Sequence, residues 1–313
     1  MTRAWLGPRH ACTMQKTGEI ACWGANDAGQ LGDGTFVSRP LPKPARAARA
    51  DALSLGDGHT CGLFAGRVRC WGATMLAENT ILDATAIASG GEQACAIAGG
   101  RVRCWGAKAT MPSEPEAFKG ARATAIAVGP SHVCVALADP AVVRCSGSDA
   151  RGQAAASVDL LAGASIASLT AGAEHTCAAL ADGSVRCWGA NDKGQLGDAT
   201  TTDSRVPVMV HGIPPVASIH AGARHTCARL RTGTVGCWGN NDRYQLANGT
   251  MEPSAKPVAL PGLVGVQELA VAGDSACARM ADGGVRCWGD NASGQLGDGT
   301  TNEHAVPMPI KWW

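Results

Sequence analysis

The sequence predicts an all-β chain folded as a seven-bladed β-propeller of four-stranded antiparallel blades, with about one disulfide per blade. Three observations carry this. The fourteen cysteines fall into seven pairs: Cys12 with Cys22, Cys61 with Cys70, Cys95 with Cys104, Cys134 with Cys145, Cys177 with Cys187, Cys227 with Cys237 and Cys277 with Cys287. Each pair brackets a short segment that reads as a β-hairpin. A longer unit repeats around these hairpins, with 34 to 50 residues between successive second cysteines, and fills residues 1–313 as one domain.

The hairpins come first. Gly99-Gly100 between Cys95 and Cys104 is a two-residue turn suited to positive φ. Ala181-Asp182-Gly183 makes a three-residue turn, and Ala138 to Ala141 reads as a four-residue turn around Asp-Pro. Cysteine spacing lengthens in step with the turn, so the two sulfurs stay opposite each other. Opposed residues in a non-hydrogen-bonded antiparallel pair lie about 4.5 Å apart at Cα, within reach of a disulfide. Seven pairs with no cysteine left over favour seven disulfides and an oxidising compartment. Buried thiols filling a repeated core position are the weaker alternative. Zinc is weaker still, because no Cys-x-x-Cys occurs and ligands would have to come from separate hairpins. Each bridge closes a small loop, worth roughly 2–3 kcal/mol on the chain-entropy estimate.

The repeat supplies the remaining strands. A full copy reads Ala221-Gly222-Ala223-Arg224-His225-Thr226-Cys227, a hairpin, then Val235-Gly236-Cys237-Trp238-Gly239. An Asn-rich turn and a Gly-Gln-Leu-Gly-Asp-Gly-Thr element follow, at Gly29 to Thr35 and Gly294 to Thr300, with variants at Gly194 to Thr200 and Tyr244 to Thr250. Trp23, Trp71, Trp105, Trp188, Trp238 and Trp288 follow the second cysteine, and Ser146 replaces the tryptophan in copy four. One strand precedes the glycine (Ile219-His220-Ala221), two form the hairpin, and one carries Pro207, Pro257, Pro307 or Pro309. Proline cannot donate to a ladder, so that strand belongs at the blade's outer edge. Four strands every 40–50 residues is a propeller signature. Joining the chain ends would continue the repeat in phase, as a closed ring requires.

Composition narrows the function. Formal net charge is +1, which gives no electrostatic case for nucleic acid or a membrane surface. No apolar run of 18 or more residues is present, so no membrane span is expected. The first residues lack a secretion signal's apolar segment, so export implies a leader removed from this version of the chain.

Gly-x-x-His-Thr-Cys, Val-x-Cys-Trp-Gly-x-Asn and Gly-Gln-Leu-Gly-Asp-Gly together resemble the regulator of chromosome condensation repeat, and the resemblance runs through essentially the whole chain. It implies a seven-bladed propeller, and the cysteine-rich version is similar to a bacterial secreted branch of the family. Relatives on that scaffold include a nuclear guanine-nucleotide exchange factor and a secreted inhibitor of β-lactamases. Fold alone does not assign activity.

Candidate sites follow from the repeat and its departures. His10, His59, His132, His175 and His225 hold one repeat position; they read as structural, each bonding backbone of its own or the next blade, since ring-related positions are too far apart to share one metal. Arg69, Arg103, Arg144, Arg186 and Arg286 read as stacked on tryptophan or paired with a neighbouring blade's acid. Leu31, Leu196, Leu246 and Leu296 read as plugs between blades. The glycine-rich element matches neither phosphate nor calcium loops, no catalytic set assembles, and no cofactor is expected. The inter-hairpin segments of copies two to four abandon the repeat, which marks Met75, Glu78, Lys108, Met111, Glu114, Glu116 and Phe118 as partner-binding candidates. The expected function is non-catalytic recognition of a protein or cell-surface macromolecule by a monomer, outside the cytoplasm: extracellular, periplasmic or at the cell surface. Alternatives are a secreted hydrolase or lyase at the mouth of the central channel, and a nucleotide-exchange regulator, against which the disulfides argue.

Overall fold

The computed structural model describes residues 3–47, 49–73, 80–106, 109–155 and 159–311. Seven antiparallel sheets follow one another along the chain, each entered at its innermost strand. Blade one comprises Arg3–Leu6, His10–Met14, Ile20–Gly24 and Arg39–Pro44. Blade two has Ala52–Leu55, His59–Phe64 and Arg67–Gly72, and blade three has Ala84–Gly90, Gln93–Ala98, Arg101–Gly106 and Ala109–Ser113. Blade four has Ala123–Val128, His132–Ala138 and Ala141–Gly147. Blade five is Ile166–Ala171, His175–Leu180, Val185–Gly189 and Ser204–Met209. Blade six is Val216–Ala221, His225–Leu230, Val235–Gly239 and Ser254–Ala259, and blade seven Val266–Ala272, Ser275–Met280, Val285–Gly289 and His304–Pro309. Two blades depart from four described strands. Blade four keeps a single bridge, Val143 to Leu160; blade two shows only the Val68 N–H donating to the Ile81 carbonyl (3.3 Å). The expected proline-bearing strands are the outermost in blades one, five, six and seven.

Every expected cysteine pair is a disulfide. From blade one to blade seven, Cys12 bonds Cys22, Cys61 bonds Cys70, Cys95 bonds Cys104, Cys134 bonds Cys145, Cys177 bonds Cys187, Cys227 bonds Cys237 and Cys277 bonds Cys287. In each hairpin the two cysteines are direct register partners. Their Cα atoms are 4.0 Å apart in blade two and 4.1 Å in blade one, so the bridge lies across the ladder without prising strands apart. One turn differs from expectation. Ala138 pairs with Ala141, so the longer spacing from Cys134 to Cys145 adds a residue pair to the strands and leaves a two-residue turn at Asp139-Pro140.

The core lies between blades. Leu31 packs with Cys12, Ile20 and Cys22 of its own blade and Leu53 and Leu55 of the next. Leu196 and Leu246 do the same at the following junctions, as plugs should. Where a blade has the glycine-rich loop, the loop therefore laps onto the next blade. Its glutamine carbonyl accepts the next blade's tryptophan N–H: Gln30 from Trp71 (3.0 Å), Gln153 from Trp188 (3.0 Å), Gln195 from Trp238 (2.9 Å) and Gln245 from Trp288 (2.9 Å). Gln295 accepts from Trp23 (2.8 Å), so the last blade latches to the first. Each terminal blade is built wholly from its own end of the chain, and the latch is joined at this junction by Ala4 N donating to Glu268 (3.0 Å), Gly299 N donating to the Pro40 carbonyl (3.0 Å) and a shared apolar cluster around Leu6, Trp23 and Leu296.

The latch explains a pattern the repeat alone leaves open. Copy two lacks the Gly-Gln-Leu element, and Trp105 Nε1 of blade three is buried with no acceptor among the described residues. Copy three lacks it too, and blade four carries Ser146 in place of tryptophan. Loop and following tryptophan work as a pair. Removing one donor tests it: Trp238→Phe should cost about 1–2 kcal/mol in a denaturant melt, whereas Trp105→Phe, with no bond to lose, should cost less.

Candidate functional site

The repeated histidines belong to the same junctions. His10 Nε2 lies 2.8 Å from the Thr60 hydroxyl, His132 2.9 Å from Thr176 and His175 2.9 Å from Thr226. Each threonine donates to the latch carbonyl, Thr226 to Gln195 at 2.9 Å, which uses its only hydrogen. The histidine must then donate from Nε2 and is neutral. The partner is thus the next blade's hydroxyl, not backbone as expected from sequence. Where that threonine is alanine (Ala94, Ala276), His59 and His225 keep a buried Nε2 with no partner among the described residues. Burial pushes His10, His175 and His225 down to about 3, and His59 and His132 to about 4.

The glycine three residues before each histidine makes room for the ring. A Cβ on Gly222 would stand 2.1 Å from His225 Cε1, so the Gly-x-x-His spacing is steric. Gly222→Ala should destabilise the fold by about 2–4 kcal/mol through overpacking, measured as a lowered unfolding midpoint.

Three of the arginines find partners in their own blades, and Arg144 also donates to the Ala117 carbonyl (3.4 Å) in the segment before blade four. Arg144 makes two bonds to Asp159 (2.8 and 3.1 Å), Arg103 approaches Glu114 at 3.6 Å, and Arg69 lies 5.8 Å from the centre of the Phe64 ring. Neither tryptophan stacking nor a neighbouring blade's acid is used in these three.

The partner-binding candidates disperse. Met75, Glu78 and Lys108 lie outside the described residues. Met111 is 70% exposed on the outer strand of blade three. Glu114 sits between Arg101 and Arg103, and Glu116 is exposed beside Lys119 (3.2 Å). Phe118 is a correction: it is fully buried, packed with Ile97, Val135 and Leu137 between blades three and four, so it is core and presents nothing to a partner.

Antiparallel connectivity gives the ring two unlike faces. The cysteine hairpin turns and the linkers into the next blade form one. The turns preceding each first cysteine and the long loops after each Trp-Gly form the other, here the loop face. On it, arginines are consumed in ion pairs: Arg9 with Asp27 (3.2 Å), Arg151 with Asp203 (2.6 Å), Arg205 with Asp149 (2.7 Å), Arg224 with Asp192, and Arg243 with Glu303. Asp57, Glu174, Asp242, Glu252, Asp274 and Asp290 have no ion-pair partner among the described residues. The loop face is therefore acidic, while on the hairpin face Glu19, Asp83, Asp139, Asp182 and Asp282 are interspersed with Lys16, Arg49, Arg122 and Arg231. At the rim of the loop face Phe36 and Val37 are 73% and 65% exposed, at positions where the other full copies have Thr201-Thr202, Met251-Glu252 and Thr301-Asn302. Sequence reading assigned Phe36 no role; comparison with its repeat-equivalents would have singled it out.

The inner strands enclose a central cavity of about 480 Å³. At its loop-face mouth, one residue from each blade lines the opening: Pro8, Asp57, Gly91, Pro130, Ala173, Ala223 and Gly273. Only Asp57 there is charged. Desolvation at the crowded mouth, then Glu92, push its carboxyl up. Further in, Ile87, Ile126 and Leu169 line blades three to five, and His220, Glu268 and Trp5 line blades six, seven and one. His220 Nε2 is 3.0 Å from Ser218; Glu268 accepts from Ala4 and from Arg279 (3.3 Å). No described group of three or more His, Cys, Asp and Glu residues is arranged to hold a metal.

Fold and site together define a disulfide-stapled repeat propeller with a polar, loop-built face. The Regulator of chromosome condensation (RCC1) repeat matches residues 17–63 and 182–229, and a second profile of that description matches 166–195, 216–245 and 269–295. The chain belongs to this repeat family. Similar solved structures include Prp20p from Saccharomyces cerevisiae (17% identity over 96% of this chain and 87% of that one, TM-score 0.83) and human WBSCR16 (20%, 94% of each, 0.82). The ectodomain of the Physcomitrella patens receptor kinase CR4 is a third (23%, 91% and 72%, 0.64). At these identities they share the fold. No curated protein sequence matches. No enzyme family is indicated, and no described helix is long and apolar enough to cross a membrane.

Proposed function

We propose that this propeller is a non-catalytic, extracytoplasmic binding protein that recognises a basic protein surface through its loop face. The excess of carboxylates over cations on that face carries the reading, because a fixed field of one sign steers and orients an oppositely charged partner. Seven disulfides are compatible with an oxidising compartment. The blades hold the loops in place before the partner arrives, so association costs little ordering entropy. Phe36 and Val37 supply an apolar anchor beside the charged field, the arrangement of an interface hot spot with a polar surround. A protein partner also accords with its fold neighbour Prp20p, which binds Gsp1p and histones. Met111 and Glu116, the exposed part of the irregular sector, offer a secondary contact at the edge of blade three.

Capture from culture medium and cell envelope with the folded, oxidised protein tests this. One saturable partner should be retained at low salt and weakened as salt rises, and Phe36→Ala should lower its affinity at least tenfold with an unaltered melting curve. Retention that ignores both salt and Phe36 would remove the reading; so would turnover of peptides, esters or glycans that a single substitution abolishes.

A further inference from the structure

The channel departs from its own repeat in one sector only. On the inner strands, the position two residues before the closing small residue is Ser54, Ala88, Ala127, Thr170 or Ala270 in five blades, but Trp5 in blade one and His220 in blade six. Two residues deeper, Glu268 of blade seven stands where alanine or serine occupies blades two to six. Asp57 of blade two is the sole charge in the ring at the mouth. Blades six, seven, one and two are contiguous around the closed ring. The position between is apolar in blades two to five and seven alike (Leu53, Ile87, Ile126, Leu169 and Leu269), so the larger ionisable and aromatic side chains are departures that packing alone does not require.

We propose that this channel receives an extended cationic peptide segment, the lysine- or arginine-bearing tail of the partner, entering from the loop face. The inference deepens the reading of the acidic face and rests on it. Asp57 would take the first cation at the mouth, where no protein cation pairs with it among the described residues. Trp5, partly exposed on the wall, offers its ring face to an aliphatic stem or a second cation. Glu268 is held in place by Ala4 and Arg279 and accepts backbone or side-chain N–H groups further in. From the Glu268 level to Asp57 is five residue steps, roughly 15 Å, which suits four or five extended residues. The cavity volume of about 480 Å³ is within the usual range for binding pockets. Arg3, exposed and bonded to the Asp51 carbonyl, holds the Glu268 position in blade one and disfavours passage of a cation beyond that level.

Titration of the oxidised protein with an acetylated, amidated Lys-Gly-Lys-Gly-Lys peptide, and with its Glu-Gly-Glu-Gly-Glu counterpart, decides this by calorimetry and tryptophan emission. The basic peptide should bind with one-to-one stoichiometry and the acidic one should not. Asp57→Asn should weaken binding about tenfold and Trp5→Leu should remove the emission change, while Glu19→Gln on the hairpin face leaves the affinity within about twofold. Asp57 is exposed at a turn, so its variant remains informative if Trp5→Leu fails to fold. Equal affinity for Asp57→Asn and the unmodified protein, or equal binding of both peptides, overturns the proposal. Partner capture that survives both channel substitutions would sink this inference and leave the loop-face reading standing; peptide binding without any captured partner would do the reverse.

Discussion

Reduction of the seven disulfides should collapse the stability of this propeller. Each bridge closes a loop of about ten residues, worth roughly 2–3 kcal/mol by the chain-entropy estimate. A globular domain retains only about 5–15 kcal/mol in total, so losing several bridges consumes that margin. The sulfurs are sheltered: Cys12, Cys61, Cys95, Cys177 and Cys227 are fully buried, and so are Cys187 and Cys287 on the partner strands, with Cys22, Cys70 and Cys145 buried nearly as deeply. Reductant alone should therefore act slowly on the native state and quickly once denaturant opens the blades. Guanidinium melts of the oxidised protein and of protein reduced in denaturant and kept under a phosphine reductant provide the comparison. The reduced chain should unfold at a far lower midpoint or fail to refold cooperatively. A midpoint shift equivalent to less than about 1 kcal/mol would mean that inter-blade packing alone sustains the ring.

Acid should act nearly as strongly. His10, His59, His132, His175 and His225 are buried and neutral, with values pushed down to about 3 or 4 by desolvation. Well above the unfolded value of 6.5 these groups are neutral whether folded or unfolded, and pH has no purchase through them. Below it the unfolded chain binds protons that the folded one refuses, so stability falls with pH until the folded values near 3 and 4 are reached. Each histidine contributes a slope of up to about 1.4 kcal/mol per pH unit. Asp57 and Asp274, whose carboxyls are raised by partial desolvation, oppose this weakly, since a raised acid favours the folded state as pH drops. Thermal melts from about pH 7.5 to about pH 4.5 should show Tm dropping steeply below about pH 6. His132→Gln, which keeps a side-chain donor towards Thr176, should lower Tm at neutral pH yet flatten the acid slope. A Tm constant between about pH 7 and about pH 5 would show that these rings are not held neutral.

What could be read from sequence divides by range. The hairpins, their disulfides and the outer proline strands are local: two opposed cysteines across a Gly-Gly turn, or a proline that cannot donate, speak for themselves. The leucine plugs were legible because their repetition is so regular. The histidine partners were not, because Thr226 is adjacent to His175 only after two blades pack, and about fifty residues separate them. Phe118 looked like a surface aromatic because its segment had lost the repeat, yet that irregular segment fills the gap between blades three and four. The acidity of the loop face was hidden by a net charge of +1, which averages two unlike faces. Glu268 and His220 escaped notice for a related reason: position on an inner strand matters only once seven such strands surround a channel.

Affinity of the captured partner for three forms of the protein tests the loop-face assignment most directly. The forms are the unmodified protein, Glu92→Gln/Glu174→Gln/Glu252→Gln on the loop face, and Glu19→Gln/Asp282→Asn on the hairpin face, titrated at two salt concentrations. Neutralising the loop face should weaken binding tenfold or more and flatten its salt dependence, while the hairpin-face variant binds like the unmodified protein. Equal loss from both faces, or loss from the hairpin face alone, would contradict the assignment of recognition to the acidic loops.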